Sequence, residues 1–314
     1  MSVLSAPRGL ALIVNANASG VDGTRSTLRD TTDRLTGAGG RVRAAHATRS
    51  LRELRAALEE AGDQRVVLVG GDGAIHAAAN AGGLGGELAL IPAGRANNIA
   101  RASAIPLDRA AAARFAVAGS ASPFDVLQVS TPARDVVAVE GVSAGFHAAA
   151  RSRYRGANSA HLAQGVLALA AALTAYTPYD VELAVDGGEL STLHTAQLFV
   201  SNLPLFGFGF PVAPGAAPDD GVADLITLPA PRSRAGVLRE LWRVRRAAHL
   251  DHAARSRRVR SVEIASPVPL VADAEVLGTG TAGIRLAAGA LLLVRGATAG
   301  AAGAPARRAL PASP

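Results

Sequence analysis

The sequence predicts an α/β protein of two domains, a doubly wound parallel sheet followed by an antiparallel β-sandwich. Three observations predict it. Up to about residue 127, short apolar runs alternate with stretches of helical length, the order that builds a parallel sheet with helices on both faces. Past Phe124 the apolar pieces become valine-rich and are separated by turn residues, the texture of an antiparallel sandwich. A chain of 314 residues, 49% hydrophobic, can bury two cores and few more. The expected boundaries are 1–127 and 128–287, with a last strand at about 288–296 returning to the first domain. Residues 297–314, mostly Ala, Gly, Pro and Arg, are expected to be a disordered tail.

Taken in order, Gly9-Leu10-Ala11-Leu12-Ile13-Val14 is a continuous apolar run of buried-strand length, followed by the loop Asn15 to Gly20. Ser26 to Gly37 reads as a helix, with Leu28 and Leu35 two turns apart. Arg41 to Ala47 is a second strand and Ser50 to Ala61 a second helix. Arg65 to Val69 is a third strand ending at Gly70-Gly71. Ile75 to Ala81 begins a third helix, and Leu88 to Ile91 is a fourth strand ending at Pro92. In the second domain, strands are expected at Val136–Val142, Val181–Val185, Gln197–Ser201, Ala223–Leu228, Val259–Ala265, Gly283–Leu286 and Ala290–Val294. Helical insertions are expected around His161–Thr174 and Arg234–Ala248.

Composition narrows the chemistry. With no cysteine, disulfides, zinc–thiolate sites and thiol nucleophiles are excluded. No lysine occurs either, so the net charge of +7 and the pI of about 11.1 rest on arginine. Such a chain is drawn to nucleic acid, anionic lipid surfaces or nucleotide phosphates. Aromatic residues are 4%, too few to interleave with basic side chains as base-reading modules do, so nucleic acid is not expected as a partner. The segment Arg239 to Arg260 holds a cluster of arginines that reads either as a solvated helix and linker or as a membrane-facing patch. No apolar run reaches the length of a membrane span, and the chain enters its first strand without a charged leader and cleavage site. A cytoplasmic protein that visits a membrane surface transiently is expected, and a homodimer is left open.

Three loops follow strands of the parallel sheet, where ligands of such sheets bind: Asn15 to Gly20, Gly70 to Ala74, and Pro92 to Arg101. Glycines let backbone N–H groups approach phosphate oxygens, and a helix opening after the second loop aims its positive end at the same point. Asp72 is too acidic to touch a phosphate and is better suited to Mg²⁺ or a ribose hydroxyl. No His/Asp/Glu spacing suggests zinc. Ser143 and Ser201 lack a nucleophile-elbow context. His147 reads equally as core or as cleft lining.

Val67-Leu68-Val69-Gly70-Gly71-Asp72-Gly73-Ala74-Ile75 resembles the strand–GGDGT loop of the diacylglycerol, sphingosine and bacterial lipid kinases, a loop shared with NAD kinases and phosphofructokinases. Asn15 to Gly20 is similar to the Asn-Pro-x-Ser-Gly loop of the lipid kinases, and Pro92 to Arg101 to their Pro-x-Gly-Thr-x-Asn-Asp-x-Ala-Arg loop. Ser201-Asn202 with Gly207 to Pro214, Asp219-Asp220-Gly221 with Asp224, and Asp273-Ala274-Glu275 follow the lipid branch of that family. The resemblance runs from about Leu10 to Val294.

That resemblance implies an ATP- and Mg²⁺-dependent kinase that phosphorylates a lipid alcohol such as diacylglycerol in a cleft between the domains. It implies nucleotide contacts at Asn15, Ala16, Asn17, Ala18, Ser19, Thr48, Gly70, Gly71, Asp72, Gly73, Ala74, Arg95 and Asn97. Asp273 and Glu275 would be the base and its acidic partner; two carboxylates alternating along a strand share a face. Asp220, with the main-chain carbonyls of Ala217 and Val222, would hold a structural Mg²⁺. Departures are Ala74 and Arg95 for Thr, Asn98 for Asp, Ala274 for Gly and Ala16 for Pro. Arg95 either supplies a cation at a phosphate or forms a salt bridge with Asp72. The competing readings are a catalytically weakened nucleotide- or lipid-binding protein on the same fold and an NAD kinase-like enzyme.

Overall fold

The computed structural model describes residues 9–153, 161–252 and 254–296; the expected tail, 297–314, lies outside them. The chain divides into two compact units. Described residues up to Val126, joined by those from Ala288, form one unit, and Leu127–Ala287 form the other.

The first unit runs β1 (Leu10–Asn15), α1 (Thr24–Gly37), β2 (Val42–Thr48), α2 (Leu51–Ala61), β3 (Arg65–Gly70), α3 (Asp72–Asn80), β4 (Glu87–Pro92), α4 (Asn98–Ala102), α5 (Arg109–Ala118) and the start of β5 (Ala121–Ser130). β1 and β3 are buried along their length, as strands covered on both faces must be, and this is why they read as unbroken apolar runs. Leu10, Leu12, Val14, Val67 and Val69 pack with Leu35 of α1 and with Ala112, Ala113 and Ala116 of α5. Neighbouring positions such as Ile13 and Leu68 lie beside Leu54 of α2 and Ala77 of α3. α2 opens on a cap in which Ser50 Oγ accepts from the Glu53 N–H (3.2 Å) and Glu53 returns by accepting from the Arg49 N–H (2.7 Å). Helix α3 starts at Asp72, three residues before the expected start. α5 had no amphipathic signal because its buried residues are all alanine, and α4, five residues long, is too short to show one.

The second unit runs β6 (Asp135–Ala138), β7 (Gly141–Gly145), α6 (Phe146–Arg153), α7 (His161–Thr174), β8 (Tyr179–Val185), β9 (Ser191–Thr195), β10 (Gln197–Ser201), β11 (Ala223–Leu228), α8 (Arg234–Arg245), β12 (Arg255–Val259), β13 (Ser261–Ala272) and β14 (Glu275–Val294), whose end returns to the first unit. Its strands pair antiparallel in the order β12-β11-β10-β7-β13, with β14 beyond β13 and the β8–β9 hairpin also on β13. Leu198 and Val200 of β10 enter one core with Val142, Leu225 and Ile264. Phe199, between them, enters another with Phe206, Val212 and Val244. In the first unit β14 lies parallel to β4 (Leu292↔Glu87), giving the parallel order β14-β4-β3-β1-β2.

Four expected strands are redrawn, and at each change a carboxylate captures backbone N–H groups. Val136–Val142 is not one strand, because Asp273 takes the N–H groups of Val139, Glu140 and Gly141. Val259–Ala265 breaks at Arg260, where Asp186 accepts from both Arg260 and Ser261 N–H (2.7 and 2.9 Å). Conversely, Gly283–Leu286 and Ala290–Val294 belong to one strand, β14. Its irregularity is Gly289 at φ +60°, whose N–H donates to the buried Asp125 carboxylate at 2.7 Å.

Candidate functional site

In the first unit the chain passes from β1 to β2 on one side of β1 and then to β3 on the other, so the sheet's switch point lies between β1 and β3. The first two loops leave from those strands, the third from β4 next door. The three are bonded together. Gly20 N–H donates to Ala93 O (2.9 Å), and Ala93 N–H donates to Gly70 O (2.7 Å). Arg109 also donates to Gly20 O. Gly71 and Gly94 meet backbone to backbone: a Cβ built on Gly94 would stand 2.5 Å from Gly71 Cα, so neither position has room for a side chain.

Within the first loop, Asn15 Oδ1 accepts from Asn17 N–H (3.0 Å), an Asx-turn, and Ala18 N–H returns to Asn15 O (3.0 Å). Ala16 N–H and the Asn17 side chain tie the loop to Thr48 O and Arg49 O at the end of β2. A cavity of ≈ 180 Å³ opens here, with Ile13, Leu54, Leu68 and Ala77 on its apolar side and Asn15, Asn17 and Thr48 on its polar side. Below the roughly 300–1,000 Å³ of whole-ligand pockets, it fits a heteroaromatic ring rather than a complete nucleotide. Phosphates would lie beyond it, where Gly73 is exposed on the first turn of α3. Ala74 lines the cavity, and Ser19 is exposed on the first loop. These residues fit ATP.

Two expected contacts are spent inside the protein. Asp72 Oδ1 accepts the Ile99 N–H (2.9 Å), and so holds the start of α4 against the glycine loop. Asn97, at φ +50°, exchanges hydrogen bonds with Gly94 through both side-chain atoms (3.0 and 2.9 Å), which closes the third loop on itself. Arg95 is exposed and forms no ion pair or hydrogen bond with a described residue, Asp72 included.

In the second unit, Asp273 and Glu275 do not alternate along a strand. Asp273 and Ala274 form the turn that joins β13 to β14, with Ala272 paired to Glu275. Asp273 adopts φ +50°, so the left-handed residue of the turn is the aspartate, and Ala274 in place of glycine carries no such strain. The Asp273 carboxylate accepts three N–H bonds, from Val139 (2.9 Å), Glu140 (2.8 Å) and Gly141 (3.0 Å), while its own N–H donates to Gly141 O. Asn202, fully buried, takes the other side of the same segment: its side-chain N–H donates to Val139 O (3.0 Å), and its backbone N–H to Glu140 O (2.9 Å). Glu275 forms an ion pair with Arg134.

Asp220 does not fit a structural Mg²⁺. One carboxylate oxygen is bridged by the guanidinium of Arg258, and the other accepts from the Val222 N–H at 3.3 Å. Among the described residues no cluster of three or more His, Asp or Glu side chains could hold a metal. The arginine partners at positions 134 and 258 left no local sign in the sequence, since each pairs with a carboxylate far along the chain.

Ser143 Oγ and His147 Nδ1 lie 2.9 Å apart. Ser143 is wholly buried, so the pair is no accessible nucleophile. His147 packs on Phe199 and Phe206, and its burial, with Arg151 nearby, pushes its pKa down to about 4.

Fold and site together define an α/β unit with a glycine-loop ligand site at its switch point, linked by two strands to an antiparallel β unit. Residues 9–129 match the diacylglycerol kinase catalytic domain family, and residues 140–295 match the YegS C-terminal NAD kinase beta sandwich-like domain family. The two matches follow one another along the chain and together span most of it. It is 33% identical over 197 residues to a protein of Pseudomonas fluorescens named "Probable lipid kinase YegS-like", covering 58% of this chain and 60% of that one. A protein of the same name from Pseudomonas putida is 32% identical over 190 residues, covering 58% and 61%. The alignments thus span about three-fifths of those relatives' own lengths. The solved structure of a diacylglycerol kinase from Bacillus anthracis superposes with a TM-score of 0.68 at 17% identity, over 93% of this chain and 98% of that one, a likeness of fold.

Proposed function

We propose that this protein is an ATP-dependent lipid kinase that transfers the γ-phosphoryl group to the hydroxyl of diacylglycerol or a similar lipid alcohol, at a membrane surface it visits transiently. The observation that carries the reading is Gly73. Nothing lies within 4 Å of where its Cβ would stand, and its φ is ordinary, so the fold does not need glycine there. Open space at the positive end of α3 is what a phosphate requires. The base of ATP would occupy the cavity beside Thr48 and Leu54, and Arg95 would meet the phosphates as a point of fixed positive charge. Mg²⁺ arriving with ATP would offset charge on its phosphates. Asp273 or Glu275 would orient the acceptor hydroxyl and take its proton.

A second reading, a nucleotide-binding member with weakened chemistry, is favoured by one fact: Asp273, Glu275 and Asp220 are all engaged by protein donors. The deciding experiment is transfer of radiolabelled phosphate from ATP, with Mg²⁺, to diacylglycerol, sphingosine or an isoprenoid alcohol in mixed micelles, with NAD as the soluble acceptor. A phosphorylated lipid that disappears in Glu275→Gln, with the fold intact, supports the kinase. Nucleotide binding without turnover on any acceptor gives the second reading, and turnover on NAD alone overturns both.

A further inference from the structure

We infer that α8 is a docking surface for an anionic bilayer, with Leu238 and Trp242 as its apolar wedge. The buried side of this helix is Gly236, Val237, Glu240 and Val244. Val237 packs on Phe146 and Ala172, with Leu241 beside them. On the opposite side Leu238 and Trp242, one turn apart and so stacked along one face, are 49% and 54% exposed. Trp242 is the chain's single tryptophan. Arg234, Arg239, Arg245 and the capping Arg246 are exposed around this pair, and the Arg246 guanidinium lies over the Trp242 ring, 4.1 Å from its centroid.

Within the helix the sign of the face is uniform. The one acid of the helix, Glu240, is turned inward and bonded to Arg243 at 2.6 Å. A half-exposed tryptophan and leucine ringed by guanidinium groups match the headgroup boundary of an anionic membrane: the rings and branched chain enter the interfacial layer, and the arginines pair with lipid phosphates. A DNA duplex would meet the charge, but its bases are stacked within the helix and offer little to an apolar pair at the centre of the patch. Among the described residues no helix is long and apolar enough to cross a membrane, so α8 would lie on the surface. The arginines from 239 to 260, which read either as a solvated helix and linker or as a membrane-facing patch, divide: those of α8 surround the wedge, while Arg255, Arg257 and Arg258 stand on the edge strand β12.

This inference stands without the kinase reading and is tested without ATP. Trp242 emission reports the contact directly, because no other tryptophan contributes. Vesicles of phosphatidylcholine mixed with phosphatidylglycerol should sediment the protein and shift Trp242 emission to the blue, and brominated acyl chains should quench it. Phosphatidylcholine vesicles alone should do neither, and added salt should weaken the effect. Leu238→Ser should lower vesicle affinity while leaving the thermal midpoint near that of the parent, since the side chain is on the outside. Each of Arg239→Gln and Arg245→Gln should weaken binding about fivefold. Absence of a blue shift with the anionic vesicles overturns the inference. So does a shift produced by a DNA duplex but not by vesicles, or one that grows with protein concentration alone, which would mark the face as a contact between two copies.

Discussion

Asp273 accepts N–H bonds from three consecutive residues more than 130 positions earlier, and one side chain thereby ends β6, starts β7 and closes the β13–β14 turn. Its resemblance to the aspartate of the Asp-Gly-Glu segment made it the expected base; its contacts make it a clamp as well, and for that reason Glu275 is the cleaner residue to test for chemistry. His147 supplies a residue-scale prediction. Its folded pKa of about 4 lies below the ordinary value of 6.5, so between these pH values the folded state binds fewer protons than the unfolded chain. The stabilisation is therefore complete above about pH 6.5 and lost as pH falls toward 4, at a total cost of about 3 kcal/mol. His249, also buried and lowered by desolvation, acts in the same direction. Urea unfolding midpoints between pH 7 and pH 4.5 should fall less steeply in His147→Gln than in the parent. Equal slopes would show that His147 is not held neutral.

At the scale of elements, β1, β3 and β4 were legible because burial on both faces demands continuous apolar runs, and the glycine loops because close backbone approach demands glycine. The two loop glycines are needed for different reasons, and substitution separates them. Gly94→Ala forces a Cβ onto the backbone of Gly71; it should cost about 1–3 kcal/mol of stability and loosen the loops that frame the cavity. Gly73→Ala meets nothing and replaces glycine in a helix, so stability should rise by up to about 1 kcal/mol, while ATP affinity drops because the methyl enters the phosphate space. Thermal melts with and without ATP check both. A Gly73→Ala protein that binds ATP as tightly as the parent would remove the argument for a phosphate at α3. Helix α5 escaped detection because alanine gives no contrast between faces, α4 because five residues show no period, and the start of α3 was set late because its first turn is the glycine loop itself.

For the whole molecule, the decisive element is the last strand. Leu291, Leu293 and Val294 of β14 are fully buried, and Val294 joins the core of the first unit with Val14 and Ala116. A fragment ending at residue 126 would leave the edge of β4 unpaired and that core open, a template for aggregation. It should be insoluble or partly unfolded by circular dichroism, and a circular permutant that brings 288–296 directly to its end should be soluble. A stable, monomeric fragment 9–126 would show that the returning strand is dispensable.

By itself the sequence determined the fold class and the three loops at the carboxyl ends of the strands. Those follow from hydrophobic period, turn residues and backbone conformation, all of which act within a few residues. Tertiary structure alone decided where Asp72, Asn97, Asp186 and Asp273 place their oxygens, that arginines engage Asp220 and Glu275, and that Trp242 faces outward from a helix whose one acid is buried. Hydrogen bonds and ion pairs are satisfied by whichever donor the fold brings near, and a donor 38 or 134 positions away in the chain leaves no local pattern to read.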